Sequence, residues 1–315
     1  MNSSCLCTQD WLDPAAPPDA PWKSATDNKM VANMFLIRSL DLMVRISEIL
    51  GKTAEKAYFE TESKGAREQF QAEYVTANGR IVSDSQTAYA LGICFDLLTA
   101  AQRVTAGARL AELARKNEFR IATGFAGTPF VCEALAATGH LQVAYAMLLC
   151  RECPSWLYPV TMGATTVWER WDSLLPDGSV NPGEMTSFNH YALGAIAKFL
   201  YERVAGLQRL APGWKHCRIA PSIGARFARA EASHETPTGT LSFSWETSDA
   251  GRDDGSETIT LSASVPHGVT AEIVLPDERG HQGEMRKEVG PGDWKFQTTF
   301  RRDYEWPVKP LPPKS

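Results

Sequence analysis

The sequence predicts a mainly α-helical body of paired helices, in a bundle or toroid, followed by a small antiparallel β-sandwich. Three observations carry this. Apolar residues recur at helical spacing from Asp27 to Ala205. Gly and Pro clusters punctuate that part at alternate connections. After Gly206 the pattern changes to short alternating or β-branched runs.

Residues 1–26 read as a loop-like lead, because Pro14, Pro17, Pro18 and Pro21 interrupt regular helix, with Trp11 and Trp22 flanking the stretch. Met30, Met34, Ile37, Leu40, Val44 and Leu50 then mark a first helix stopped by Gly51. Further helices are expected over Glu55 to Tyr74, Ser85 to Leu98, Ala101 to Asn117, Gly127 to Thr138, Leu141 to Cys150 and Ser187 to Ala205, the last ended by Gly206. A toroid closes its core only as an even, complete ring. Seven is odd, so an apolar helix face is expected to stay open and to favour association. Strands are expected at His216–Pro221, Gly239–Glu246, Thr258–Val265 and Thr270–Leu275, with a polar hairpin loop over 248–255 and a turn at Pro266-His267-Gly268. The proline-rich tail from Arg301 reads as disordered.

Composition excludes several classes. With 32 Lys+Arg against 37 Asp+Glu there is no basic excess or stripe, so nucleic acid is not the expected partner. No apolar run is long enough to span a membrane, so a membrane partner is not expected either. Met1 to Cys7 lacks the basic flank and apolar core of a secretory signal, which makes the cytoplasm the expected compartment. Cys150-Arg151-Glu152-Cys153 has CxxC spacing but neither a second CxxC nor a nearby His pair. Reduced thiols are the expected state, with no metal and no cofactor.

The most unusual stretch is Trp156-Leu157-Tyr158-Pro159-Val160 followed by Gly163-Ala164-Thr165-Thr166-Val167-Trp168-Glu169-Arg170-Trp171-Asp172. Indole faces beside carboxylates suit sugars: a pyranose stacks its apolar face on a ring while its hydroxyls bond to charged groups. Glu169 is a candidate acid–base residue, and His190 in Met185-Thr186-Ser187-Phe188-Asn189-His190-Tyr191 a candidate for orienting a hydroxyl or water. The alternatives are a core role for Trp168 and Trp171, a surface Glu169–Arg170 pair, and an interior structural histidine. Asp84 reads either as a substrate ligand or as a helix cap. Gly124-Phe125-Ala126-Gly127-Thr128-Pro129 lacks the strand that a phosphate loop needs before it, which excludes nucleotide binding.

Taken in order, Asp10-Trp11-Leu12-Asp13-Pro14, Ser83-Asp84-Ser85-Gln86-Thr87-Ala88, the Gly124 loop, Glu152 to Pro159, Gly163 to Asp172 and Met185 to Tyr191 resemble the C-terminal part of a glycoside hydrolase family 78 α-L-rhamnosidase, over about Asp10 to Pro276. The resemblance implies that 27–206 is the C-terminal part of an (α/α)6 barrel, incomplete here, with 207–298 a C-terminal β-sandwich and 299–315 a tail. It implies inverting hydrolysis of terminal α-L-rhamnosyl groups from glycosides or polysaccharides. By it, Glu169 matches the general base, and His190 and Trp11 line the rhamnose site; Trp168 and Asp84, read from the residues themselves, complete the expected substrate-binding set. The family's general acid lies in a motif upstream of Asp10, and its N-terminal β-domains precede the barrel. Both are expected to be absent, and the isolated chain to have little or no activity. The alternative is a catalytically silent sugar-binding or interaction module.

Overall fold

The computed structural model describes residues 10–17, 19–249, 251, 255–277 and 280–312. The stretch Met1 to Cys7, with Cys5 and Cys7, lies outside them, as does half of the hairpin loop read over 248–255. The chain divides into two compact units, residues 1–195 with 308–315, and residues 196–307.

In the first unit six helices pair as three antiparallel hairpins: α1 (Asn28–Ile49) with α2 (Thr53–Tyr74), α3 (Gln86–Cys94) with α4 (Ala100–Lys116), and α5 (Val131–Ala137) with α6 (Leu141–Leu148). Asp27 starts α1 by accepting the Met30 N–H at 2.8 Å, and Met30, Met34 and Ile37 bury the stripe that follows. Asp41 on α1 accepts from Ser63 and Arg67 on α2, which pins that hairpin by charge-assisted bonds. Apolar on every side, α3 is buried from Gln86 to Ile93 and forms the middle of the unit. Thr99 and Gln102 form a reciprocal capping box at the start of α4.

Three helices differ from expectation. The Gly127 helix starts only at Val131, because Thr128 and Phe130 are taken up in turns that return to Gly124 and Gly127. A short α7 (Leu157–Thr161) lies within the Trp-rich stretch, where none was expected. The last helix begins at Ala192 instead of Ser187 and runs as a 3₁₀ turn (Ala192–Ala195), α8 (Ile196–Phe199) and a π turn (Leu200–Ala205). Residues 185–190 are thereby left as irregular chain outside the helix. Gly206 ends the run in the left-handed region at φ 107°, and a Cβ there would stand 2.4 Å from Pro221 N, so only glycine fits.

The second unit is a sandwich of two four-stranded sheets. Its strands are β1 (Leu207–Arg209), β2 (His216–Ile219), β3 (Arg229–Thr236), β4 (Gly239–Asp249), β5 (Glu257–Val265), β6 (Thr270–Asp277), β7 (Gly280–Val289) and β8 (Gly292–Phe300). The orders are β1-β2-β6-β7 and β3-β4-β5-β8, antiparallel throughout except for the parallel pairing of β2 with β6. Leu241, Phe243 and Trp245 of β4, Ile259, Leu261 and Ala263 of β5, and Ala271, Ile273 and Leu275 of β6 alternate inward and fill the space between the sheets. Beyond β8, residues 301–312 carry no helix or strand. The end is nevertheless held in the first unit: Leu311 N–H donates to the Arg115 carbonyl and Arg115 Nε to the Lys309 carbonyl.

Candidate active site

The lead before α1 is a folded part of the site. Asp10 is fully buried, and its carboxylate accepts the Gly124 N–H at 2.9 Å, the Gly127 N–H at 3.0 Å and the Thr87 hydroxyl of α3. Asp13, also buried, accepts the N–H groups of Ala15 and Ala25 and closes the lead on itself. Gly124 comes so near that a Cβ would lie 2.4 Å from the carbonyl oxygens of both Asp10 and Trp11. The neighbouring Phe125 N–H donates to the Trp11 carbonyl at 2.8 Å.

Desolvation pushes Asp10 up from the ordinary 3.8 to about 6, against the lowering effect of the three donors. A carboxyl raised in the folded state stabilises the fold fully below 3.8, and that contribution is lost as pH rises through about 6. The gap is worth roughly 3 kcal/mol. The stability of wild type relative to Asp10→Asn, from urea unfolding, is therefore expected to fall between about pH 4 and pH 7. A flat difference would exclude this carboxyl as the titrating group.

The second half of the site comes from two irregular segments joined by backbone hydrogen bonds. Glu169 N–H donates to the Ser187 carbonyl at 2.9 Å, and His190 N–H to the Val167 carbonyl at 2.8 Å. Ser187 N–H returns a bond to Glu169 Oε2 at 3.2 Å. Among the described residues no hydrogen bond reaches Oε1 of this half-buried carboxylate. His190 Nδ1 accepts the Ala192 N–H at 3.3 Å, so the neutral ring carries its proton on Nε2. The imidazole stacks on Phe125 with centroids 5.3 Å apart and on Tyr191 at 5.2 Å. Phe125 thus links the Trp11 backbone to His190, and the His190 segment carries Glu169 beside it.

The expected residues do not all serve alike. Trp168 is only 4% exposed and meets Phe188 edge-on at 5.3 Å. Its indole offers no open face for a sugar and instead supports the Ser187–His190 segment. Trp171 is buried against Trp156, whose Nε1 donates to the Leu193 carbonyl. Arg170 bonds to Asp172 and to the Glu184 carbonyl, not to Glu169 as a surface pair would. Asp84 does not cap α3; the Ser85 hydroxyl does, accepting the Ala88 N–H at 3.1 Å. Both Asp84 oxygens are engaged by Arg109, at 2.9 and 2.6 Å, and Tyr89 adds a third donor. The Arg109 guanidinium holds Asp84 below the ordinary carboxylate range. No hydrogen bond, ion pair or ring contact among the described residues joins it to Glu169 or His190.

Burial pushes the Cys153 thiol up to about 12 and Cys150 upward as well, so neither is a ready thiolate near neutral pH. The described cysteines, Cys94, Cys132, Cys150, Cys153 and Cys217, are free thiols. Sequence reasoning assigned no role to Asp10 or Phe125. The signal for them was the pair of glycines three apart in Gly124-Phe125-Ala126-Gly127, whose N–H groups need a buried acceptor.

Paired helical hairpins followed by a β-sandwich are the architecture of a six-hairpin glycosidase domain with its C-terminal domain. The chain belongs to the bacterial α-L-rhamnosidase family: residues 4–204 match its six-hairpin glycosidase domain and residues 206–290 its C-terminal domain. An α-L-rhamnosidase of Formosa agariphila is 35% identical over 281 residues, which are 89% of this chain and 29% of that protein. The crystal structure of an α-L-rhamnosidase from Aspergillus terreus superposes with a TM-score of 0.87 at 37% identity, covering 95% of this chain and 33% of the other. The Streptomyces avermitilis α-L-rhamnosidase complexed with L-rhamnose gives 0.82 at 33% identity, covering 92% and 28%. The chain spans less than a third of the length of the curated relatives it matches. No described helix is long and apolar enough to cross a membrane.

Proposed function

We propose that the chain is the base-bearing part of an inverting α-L-rhamnosidase acting on terminal α-L-rhamnosyl groups of glycosides or polysaccharides. The observation that carries this is the backbone pairing that sets Glu169, one carboxylate oxygen unbonded, beside a His190 of fixed tautomer. In this reading Glu169 Oε1 takes a proton from the water that attacks the anomeric carbon, while the Ser187 N–H on Oε2 holds the carboxylate in place. His190 donates from Nε2 to a sugar hydroxyl, and Trp11 contributes to the same wall. Trp168 acts from below, through Phe188.

Inversion needs a second carboxyl roughly 6.5–9.5 Å from the base to protonate the leaving oxygen. We assign that acid to no residue of this chain. Nitrophenolate leaves without protonation, so p-nitrophenyl α-L-rhamnoside tests the base alone. Slow nitrophenol release is expected, together with L-rhamnose binding in ligand-detected NMR that His190→Ala abolishes. Folded protein that neither hydrolyses nor binds would overturn the proposal. Binding without hydrolysis would favour a sugar-binding module.

Association follows from the open helix faces. Leu36, Ile46, Ile49 and Leu50 of the α1 hairpin are 50%, 46%, 81% and 64% exposed, apolar side chains of the kind that seek a partner. Light scattering on the purified chain is expected to show oligomers that L36K/I46K reduces in mass. A monomeric wild type would refute this.

A further inference from the structure

The outer face of the β3-β4-β5-β8 sheet carries a trough of about 840 Å³, lined by Tyr201, Glu231, Asp293, Trp294 and Lys295 around a floor of serines. The strand register explains the floor. Ser233 pairs with Ser242 and Ser242 with Ser264; in the next row Glu231 pairs with Ser244, and Ser244 with Ser262. On β8, Asp293 faces Ser264 and Lys295 faces Ser262. Five short hydroxyl side chains thus form two adjacent rows, where longer or β-branched residues would ordinarily cover a strand. Their shortness beside long neighbours is what sinks the trough. Among the described residues none of the five hydroxyls is hydrogen-bonded to another protein group. Tyr201 borders them, 46% exposed; Trp294, paired with the buried Ala263 and stacked on Phe296, turns its indole to the other face of the sheet.

We propose that this trough is a second carbohydrate site, binding a neutral oligosaccharide chain along the sheet. The ligand class follows from the chemistry. Each serine hydroxyl both donates and accepts, as sugar hydroxyls do, so either orientation of a partner is satisfied. A pyranose ring stacks on an exposed tyrosine, the role open to Tyr201. Four strands give three steps of about 4.8 Å, a floor roughly 14 Å long, suited to a short run of sugar units. Two carboxylates against one lysine on the rim disfavour nucleic acid. A hydroxyl floor disfavours an apolar partner, and an extended peptide would add to a strand edge, not to a face. The trough lies wholly within the second unit and needs none of the Glu169 chemistry; the link to glycans bearing rhamnosyl ends rests on the reading above.

Affinity electrophoresis of the full chain through gels containing neutral polysaccharides, with neutral oligosaccharides cut from the retarding polysaccharide as the soluble competitor, tests the proposal. At least one polysaccharide is expected to retard wild type and Glu169→Gln equally. Tyr201→Ala, and separately S244Q/S262Q, which fills the trough with polar side chains tolerated on an exposed strand face, are expected to weaken retention at least tenfold. The same variants should leave nitrophenyl rhamnoside hydrolysis unchanged. Retardation by no polysaccharide, or retention that both variants leave intact, would overturn the site. Loss of hydrolysis in Glu169→Gln with retention intact would leave it standing.

Discussion

Glu169→Gln is expected to lower nitrophenol release from p-nitrophenyl α-L-rhamnoside by roughly 10²–10⁴-fold, the usual worth of a positioned general base. L-Rhamnose binding should change little. The substitution is nearly isosteric, and the amide oxygen of Gln can still accept the Ser187 N–H that Glu169 Oε2 accepts at 3.2 Å. The pairing of residues 167–169 with 187–190 rests on backbone bonds that the substitution does not touch. What disappears is the capacity of the free oxygen to take a proton from water. Steady-state rates and NMR binding on the same preparations decide the matter: equal rates in wild type and variant would remove Glu169 from the chemistry, and joint loss of rate and binding would point to a folding defect.

The second large effect is expected at Gly124→Ala. The new Cβ would sit 2.4 Å from two backbone carbonyl oxygens and 2.6 Å from the Asp10 carbonyl carbon, none of which is the end of a flexible side chain. Relief requires the lead and the loop to part. That movement would weaken the Gly124 and Gly127 bonds to the buried Asp10 carboxylate and leave a desolvated charge with fewer donors. Overpacking and lost bonds together are expected to destabilise the first unit by roughly 3 kcal/mol. Because Phe125 follows Gly124 and stacks on His190, rhamnose binding should fall as well. Denaturant unfolding and rhamnose titration of the variant test both parts, and a shift below about 0.5 kcal/mol would show that the loop yields at little cost.

Helical periodicity located five helices to within a few residues, from α1 through α4 and again at α6, because each carries a continuous apolar stripe and a local start or stop signal. The Gly127 and Ser187 helices were placed too early for one physical reason. Gly127 to Phe130 and Ser187 to His190 have helix-compatible composition, but their backbone groups find better partners elsewhere: Gly127 in Asp10, Ser187 and His190 in Glu169 and Val167. The strands β1, β3, β7 and β8 escaped the sequence reading because Arg229–Thr236 and Gly280–Val289 are largely polar or charged, so their pairing depends on the neighbouring strands.

The sequence by itself determined the family, the helical-then-β order and the two motifs that hold Glu169 and His190, since these depend on residue type and order alone. Only the tertiary structure decided which of the candidates stay accessible and which are taken up by protein partners. It buried Trp168, tied Asp84 to Arg109 and gave Asp10 the loop to hold. Exposure and hydrogen-bond partnership belong to residues far apart in the chain, Asp10 with Gly124 and Val167 with His190, and no local pattern encodes which of two competing partners a buried polar group will take.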